Sequence, residues 1–213
     1  MSLTLYTNPQ SRGRIARWML EEVGVPYDVT YVAYGPPMKA ARYRAINPMG
    51  KVPALDHNGT IVTEVAAICA YMADTFPAAE LAPPVDQRGA YYRWLFFTAG
   101  PLEAATTNKS LGVEVPLERR GMVGYGTLNR VVDTLEGMLT DQPFVTGDHF
   151  RAVDVYLGAQ LAWGLQFGTI EARPAIGAYV HRVTQRPAFK RASALDDAAS
   201  ETAEATHVTV ETE

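Results

Sequence analysis

The 213 residues, 47% hydrophobic and 20% charged, suffice for one large domain or two small ones with a buried core. A net charge of −4 gives no basic footprint for nucleic acid or an anionic membrane surface, and no apolar run approaches the roughly 18 residues of a membrane-spanning helix. The single cysteine, Cys69, excludes an intramolecular disulfide framework, and its apolar helical surroundings read as a buried, inert thiol.

Met1-Ser2-Leu3-Thr4 lacks the charged and apolar regions of a secretory signal, so a cytoplasmic protein is expected. Residues 3–6 alternate as a short strand. Residues 11–23 place Ile15, Trp18, Met19 and Val23 at helical spacing until Gly24 stops the helix, and residues 27–32 alternate again. Such a strand, helix, strand unit favours a parallel pair with a right-handed crossover. Gly35-Pro36-Pro37 breaks the chain, and residues 38–46 read as a short helix carrying Lys39, Arg42 and Arg44. In His57-Asn58-Gly59 the Asn-Gly pair accepts the positive φ of a tight hairpin, so the flanking segments pair antiparallel. A helix over residues 64–76 completes the order βαβαββα of a thioredoxin-like domain.

The proline-rich connection from Pro77 to Pro84 marks a domain boundary. Beyond it, residues 87–109 and 117–139 are long helical patterns, interrupted by Gly112 and Pro116. Residues 142–148 form a loop, residues 152–167 and 174–184 are further helices, and a short one follows Pro187. Without a strand candidate of comparable quality, this half reads as an all-helical bundle. The fold class is therefore α/β plus all-α. Residues 1–80 form the thioredoxin-like domain and residues 86–192 the helical C-terminal domain. Residues 193–213 form an acidic tail, poor in large apolar residues and expected to be mobile or loosely attached.

The strongest chemical signal lies in residues 47–68. Pro53 stands between apolar residues at the mouth of a strand; it cannot donate to a ladder, so it belongs at a strand start, with an exposed edge expected at Val52. A cis Val52-Pro53 bond would turn the N–H and C=O of Val52 outward to pair with a small extended peptide. A helix opening at Glu64 adds unpaired N–H groups and a positive dipole end close by, which suits a carboxylate.

Asn47-Pro-x-Gly-Lys-Val-Pro-x-Leu55, followed by Glu64-x-Ala-x-Ile68, resembles the glutathione-binding core of the soluble glutathione S-transferases, and the likeness extends to about Arg191. In that family the proline is cis, the residue before it binds the cysteinyl backbone of glutathione, and the acidic residue opening the helix contacts the γ-glutamyl end. The resemblance thus implies contacts from Val52, beside Pro53, and from Glu64. The family usually has Ser after the acidic residue; Val65 removes that hydroxyl contact and keeps the backbone N–H. Lys51 and Lys39 are candidates for the glycyl carboxylate, through a charge-assisted bond. In Phe150-Arg151-Ala152-Val153-Asp154, Arg151 stands where the family has a Ser or Thr that forms a capping box, and Asp154 reads as structural.

A glutathione transferase must present glutathione as thiolate, whereas a free thiol of pKa ~8.5 is mostly protonated at neutral pH. A hydroxyl donating to the sulfur, with the positive end of a helix, lowers that value. Ser11, after the first strand and at the start of the first helix, corresponds to the active Ser of the serine-type classes; the same position also fits a plain helix cap. Tyr6 lies near the hydroxyl of the tyrosine-type classes, which Arg12-Gly13-Arg14 also resembles, but the intervening loop is longer here. Asn8 and Gln10 are further donors. This loop contains no cysteine, which disfavours thiol–disulfide reduction relative to conjugation or peroxide reduction.

The second substrate, a small hydrophobic electrophile, is expected between the domains. Phe96, Phe97, Glu103, Asn108, Trp163 and Phe167 are lining candidates, although aromatic residues at helical spacing equally read as core. The four histidines lack metal-ligand spacing, and neither a nucleotide loop nor a Ser-His-Asp arrangement is evident. The resemblance implies a glutathione S-transferase using glutathione as co-substrate, without metal, and a homodimer. A glutathione-dependent peroxidase, isomerase or dehalogenase, or a non-catalytic binding module, stays open.

Overall fold

The computed structural model describes the backbone of residues 1–210 and the side chains of residues 1–202. Strand β1 (Leu3–Thr7) buries Leu3, Leu5 and Thr7 and leaves Thr4 and Tyr6 half-buried on its other face, as period-2 alternation requires. It pairs in parallel with β2 (Asp28–Tyr31) and antiparallel with β3 (Ala54–His57), and β3 pairs antiparallel with β4 (Thr60–Thr63), giving the order β2-β1-β3-β4. Asn58 and Gly59 both take positive φ (51° and 87°) between β3 and β4, which matches the right-handed twist of a tight hairpin.

Helix α1 (Gly13–Val23) makes the crossover between β1 and β2 and ends at Gly24, whose N–H donates to the Leu20 carbonyl at 2.9 Å. It packs against α4 (Val65–Thr75), and Leu5, Ile15, Trp18, Met19, Leu55, Ile68 and Met72 are buried. A second cluster joins Val32, Met38 and Tyr43 to Tyr6, Ile46 and Val52. This is the thioredoxin-like arrangement expected from the order of elements.

Two local expectations need correction here. The helix foreseen over residues 38–46 is a pair of short helices, α2 (Pro36–Lys39) and α3 (Ala41–Arg44), separated where Ala40 extends to ψ 146°. Pro36 and Pro37 open α2, where a missing N–H removes no intrahelical bond. Val52 does not lie on an exposed sheet edge: it is half-buried and leads into β3, an interior strand whose ladder begins at Ala54.

Residues Glu80–Gln185 form a second compact unit, and the described residues in it are helical and irregular apart from an isolated bridge between Phe144 and Gly147. Helices α5 (Gly89–Phe97) and α6 (Glu103–Ser110) are joined by a π-helical turn, Thr98–Leu102, which absorbs Pro101. The continuous helix foreseen over residues 117–139 is broken: a 3-10 segment, Leu117–Met122, precedes α7 (Leu128–Thr140), and Gly126 takes φ 65° between them. Thr127 caps α7 by accepting the Arg130 N–H at 3.2 Å. Helices α8 (Ala152–Gln166) and α9 (Pro174–Thr184) complete the unit.

Asp154 is fully buried and satisfied. Its carboxylate accepts the Arg151 N–H at 2.8 Å, the Val145 N–H at 2.8 Å and the Tyr179 hydroxyl at 3.0 Å, and burial followed by Asp154 holds that hydroxyl well above its ordinary pKa. A guanidinium has no acceptor for a helix N–H, so Arg151 cannot supply the missing half of a capping box. It donates instead to the carbonyls of Glu80 and Ala82, and the Ala152 N–H reaches the Leu81 carbonyl at 2.8 Å.

The boundary expected at residue 192 lies instead at Arg186, and the loose attachment expected of the tail is corrected over residues 193–197, which are seated on α1. The described residues from Arg186 belong with Met1–Ala79, and α10 (Pro187–Val210) is one long helix packed on α1. Phe189 meets Trp18 edge-on at 4.8 Å. Arg186 grips the Glu22 carboxylate with two bonds of 2.7 Å; Arg191 reaches Glu21 at 3.0 Å, Arg17 reaches Asp196 at 2.9 Å, and Arg14 reaches Asp197 at 2.7 Å. Ala192 and Asp196, one turn apart, are buried. Acidic residues that read as a solvated end are thus seated against arginines of α1. The last part of the expected tail, residues 211–213, lies outside the described residues. Among the described residues no helix is long and apolar enough to cross a membrane.

Candidate functional site

The strand register sets Ala54 opposite both Tyr6 and Thr63. Three segments therefore meet at one end of the sheet: the turn after β1, Val52-Pro53 before β3, and Glu64-Val65 after β4.

The turn is held from several sides. Asn8 donates its side-chain amide to the Val32 carbonyl at 3.1 Å and accepts the Gln10 N–H at 3.0 Å, while Tyr34 donates its hydroxyl to the Gln10 carbonyl at 3.0 Å. Ser11 donates its hydroxyl to the Asn8 carbonyl at 2.6 Å and accepts the Gly13 N–H at 2.9 Å. One oxygen thus satisfies the first N–H of α1 with a lone pair and retains a proton that can be redirected to an anion. Gly13 is needed for this approach, because a Cβ there would lie 1.8 Å from Thr7 Oγ1. Of the other donors weighed for the sulfur, Tyr6 packs against Tyr43 with ring centroids 6.1 Å apart, Asn8 is engaged as described, and Gln10 is exposed.

The Val52-Pro53 peptide is cis. Its approach is locked by the buried Asn47, whose amide donates to the Lys51 carbonyl at 2.8 Å and whose oxygen accepts the Met49 N–H at 3.1 Å. Tyr43 adds a 2.6 Å bond to the same Lys51 carbonyl; its pKa, pushed up to about 12 by burial and then by Tyr6, keeps it a donor. Gly50 takes φ 56°, and a Cβ there would lie 2.8 Å from the Met38 carbonyl. Lys39, though exposed, places its ammonium 2.9 Å from the Gly50 carbonyl, whereas the Lys51 side chain is exposed. Among the described residues, the N–H and C=O of Val52 make no hydrogen bond to the protein.

Glu64 is exposed and takes φ 66°, ψ 122°, a conformation that costs a non-glycine residue about 1–3 kcal/mol. The first hydrogen bond of α4 runs from the Ile68 N–H to the Glu64 carbonyl, so the N–H groups of Val65, Ala66 and Ala67 have no intrahelical acceptor. The Val65 side chain is buried, so this position presents only main chain.

The candidates on the second unit lie on α5, α6 and α8, or just after α8. Phe96 and Phe167 are exposed, Phe97 stacks edge-on to Trp94 at 5.2 Å, and Trp163 is partly buried. Glu103 accepts the Tyr156 hydroxyl at 2.9 Å and Asn108 donates to the Tyr125 hydroxyl at 2.7 Å. Cys69 is fully buried with its thiol pushed up to about 12 by desolvation, which leaves it protonated and unreactive at neutral pH. Among the described residues no group of His, Cys, Asp and Glu is placed to hold a metal ion. Tyr34 and Tyr43 escape sequence reasoning: a tyrosine beside a Gly-Pro-Pro break and another on a short helix carry no motif.

The family model described as "Glutathione S-transferase, N-terminal domain" matches residues 12–75, from the start of α1 to the end of α4. Glutathione S-transferase GstA of Escherichia coli O157:H7 is 32% identical over 149 residues, 68% of this chain and 73% of that protein. Glutathione S-transferase hmp2 of Hypomyces subiculosus is 29% identical over 214 residues, covering 91% of this chain and 99% of its own. A glutathione transferase homologue from Sulfitobacter, solved with bound glutathione, superposes with a TM-score of 0.74 at 26% identity, covering 93% of this chain and 98% of that one. The chain belongs to the glutathione S-transferase family.

Proposed function

We infer that the protein is a glutathione transferase that binds glutathione across the end of the sheet and activates it as thiolate for attack on a small hydrophobic electrophile. The observation that carries this reading is the free main chain of Val52 at the same end of the sheet as the open N-terminus of α4, two sets of unanswered backbone groups that suit an anionic peptide. The bound glutathione of the Sulfitobacter homologue supports the same ligand here. The cysteinyl main chain pairs with Val52 next to Pro53. The γ-glutamyl carboxylate takes the N–H of Val65 and its ammonium meets Glu64. Lys51, with Lys39 behind it, faces the glycyl carboxylate.

The bound thiol releases its proton to solvent, and Ser11 turns its own proton from the Asn8 carbonyl to the sulfur and keeps the Gly13 bond, stabilising the thiolate at the start of α1. The thiolate forms the new sulfur–carbon bond while the electrophile's leaving group departs with its electron pair. This assigns the chain to the serine-type classes. The same reading takes the protein as a cytoplasmic homodimer, as the resemblance to its family implies.

The test is retention on immobilised glutathione, protection from heat by millimolar glutathione, and turnover of a chlorodinitrobenzene-type electrophile. Retention with turnover supports the transferase. Retention without turnover of that electrophile or of a hydroperoxide supports a binding module, and no retention ends the reading.

A further inference from the structure

Arg14 is placed unlike the other arginines of the α1–α10 seam. Its guanidinium donates to the Asp197 carboxylate at 2.7 Å with one arm and to the Pro9 carbonyl at 3.3 Å with the other. Pro9 is buried and lies between Asn8, whose carbonyl holds the Ser11 hydroxyl, and Gln10, whose carbonyl is held by Tyr34. The guanidinium fork is rigid, so fixing one arm on α10 fixes where the other meets the turn. The ion pair itself is exposed, with side chains 27% and 63% accessible, and such pairs add little to stability.

We propose that Arg14 is a positioning residue for the thiolate site: anchored by Asp197 on α10, it holds the Pro9 carbonyl and thereby sets the Ser11 hydroxyl on the glutathione sulfur. The proposal rests on the reading of Ser11 given above. It also makes α10 part of the site's support.

The sign of the response separates this role from two simpler ones. Loss of Asp197 removes a negative charge, which by Coulomb's law alone lowers the thiol pKa. A loosened turn raises it. A purely structural pair lowers the melting temperature and leaves the thiol where it was.

The experiment measures the pKa of bound glutathione by the ultraviolet absorbance of its thiolate, together with glutathione affinity and thermal unfolding. It compares the full chain with Arg14→Lys and Asp197→Ala. Arg14→Lys keeps the charge and loses the fork. Both variants are expected to raise the thiol pKa, by about one unit for Arg14→Lys and about half a unit for Asp197→Ala, with turnover near neutral pH falling up to about tenfold. Glutathione affinity stays within about threefold of the parent, because Val52 and α4 are untouched. An unchanged or lowered pKa in Asp197→Ala, or a parent-like value in Arg14→Lys, overturns the proposal while the parent's thiolate upholds the reading of Ser11. A parent chain that binds glutathione without forming thiolate at neutral pH overturns both.

Discussion

Replacing Ser11 by alanine and by glycine separates two functions that share one oxygen. The bond from the Gly13 N–H to Ser11 Oγ, at 2.9 Å, is a neutral cap interaction. Losing it to alanine costs about 1 kcal/mol, a fall of roughly 2–4 °C in melting temperature for a chain of this size, whereas glycine at a cap costs only a few tenths. A hydroxyl donating to a thiolate is charge-assisted and contributes about 1.5–3 kcal/mol, so its loss lowers turnover about 10- to 100-fold and raises the bound thiol pKa by about 1–2 units. Both variants should therefore lose activity and thiolate alike, while alanine alone loses stability. Glutathione affinity by calorimetry should change little in either. The assay follows thiolate absorbance against pH, turnover of a chlorodinitrobenzene-type electrophile and thermal unfolding. If Ser11→Gly turns over as fast as the parent, Ser11 is a cap and nothing more.

Gly13→Ala puts a Cβ against Thr7 Oγ1, and overpacking of this kind costs about 1–3 kcal/mol; the added Thr7→Ala should recover part of the loss in denaturant unfolding, and full stability of the single variant would refute the close approach. Asp154→Ala orphans the Arg151 and Val145 N–H groups and leaves the Tyr179 hydroxyl only its 3.4 Å bond to the residue 154 carbonyl, for a loss on the order of 3 kcal/mol; a loss under about 1 kcal/mol would contradict that network. Cys69 should resist thiol reagents at neutral pH in the native protein and react once the chain is unfolded. Its folded pKa of about 12 lies above the ordinary 9.0, so its share of stability is complete below 9.0 and is lost as pH rises through about 12. A Cys69→Ala chain should show a shallower alkaline decline, and rapid labelling of the native parent would place the thiol at the surface.

The thioredoxin-like half was legible because its signals are local. Asn58-Gly59 declares a hairpin by the φ it tolerates, and Pro53 declares a strand start by the donor it lacks. What Pro53 could not declare was which strand it precedes; β3 is interior because β4 folds back over its far side, a fact of pairing between strands. Helix α10 was misread for the same reason. Ala192 and Asp196 have no apolar stripe around them, and the partners of Arg186, Arg191, Asp196 and Asp197, which are Glu22, Glu21, Arg17 and Arg14, stand at the other end of the chain. Ala40 interrupts the segment after Pro37 despite its helical propensity, which tertiary context overrides. At the site, the motif residues Lys51, Val52, Pro53, Glu64 and Val65 were visible as a group. The bonds that shape the turn, from Tyr34 to Gln10, Ser11 to Asn8 and Arg14 to Pro9, end on backbone carbonyls, which every residue has and no sequence marks.

One tripeptide is expected to lie along Val52 with its sulfur at the Ser11 hydroxyl. A crystal structure of the chain soaked with glutathione tests it most directly. The expected result is cysteinyl main-chain bonds to Val52 at about 2.9 Å, the γ-glutamyl carboxylate on the Val65 N–H, and Ser11 Oγ within about 3.5 Å of the sulfur, no longer on Asn8. Glutathione seated with its sulfur on Tyr6, Asn8 or Gln10, or away from Val52 altogether, would contradict it.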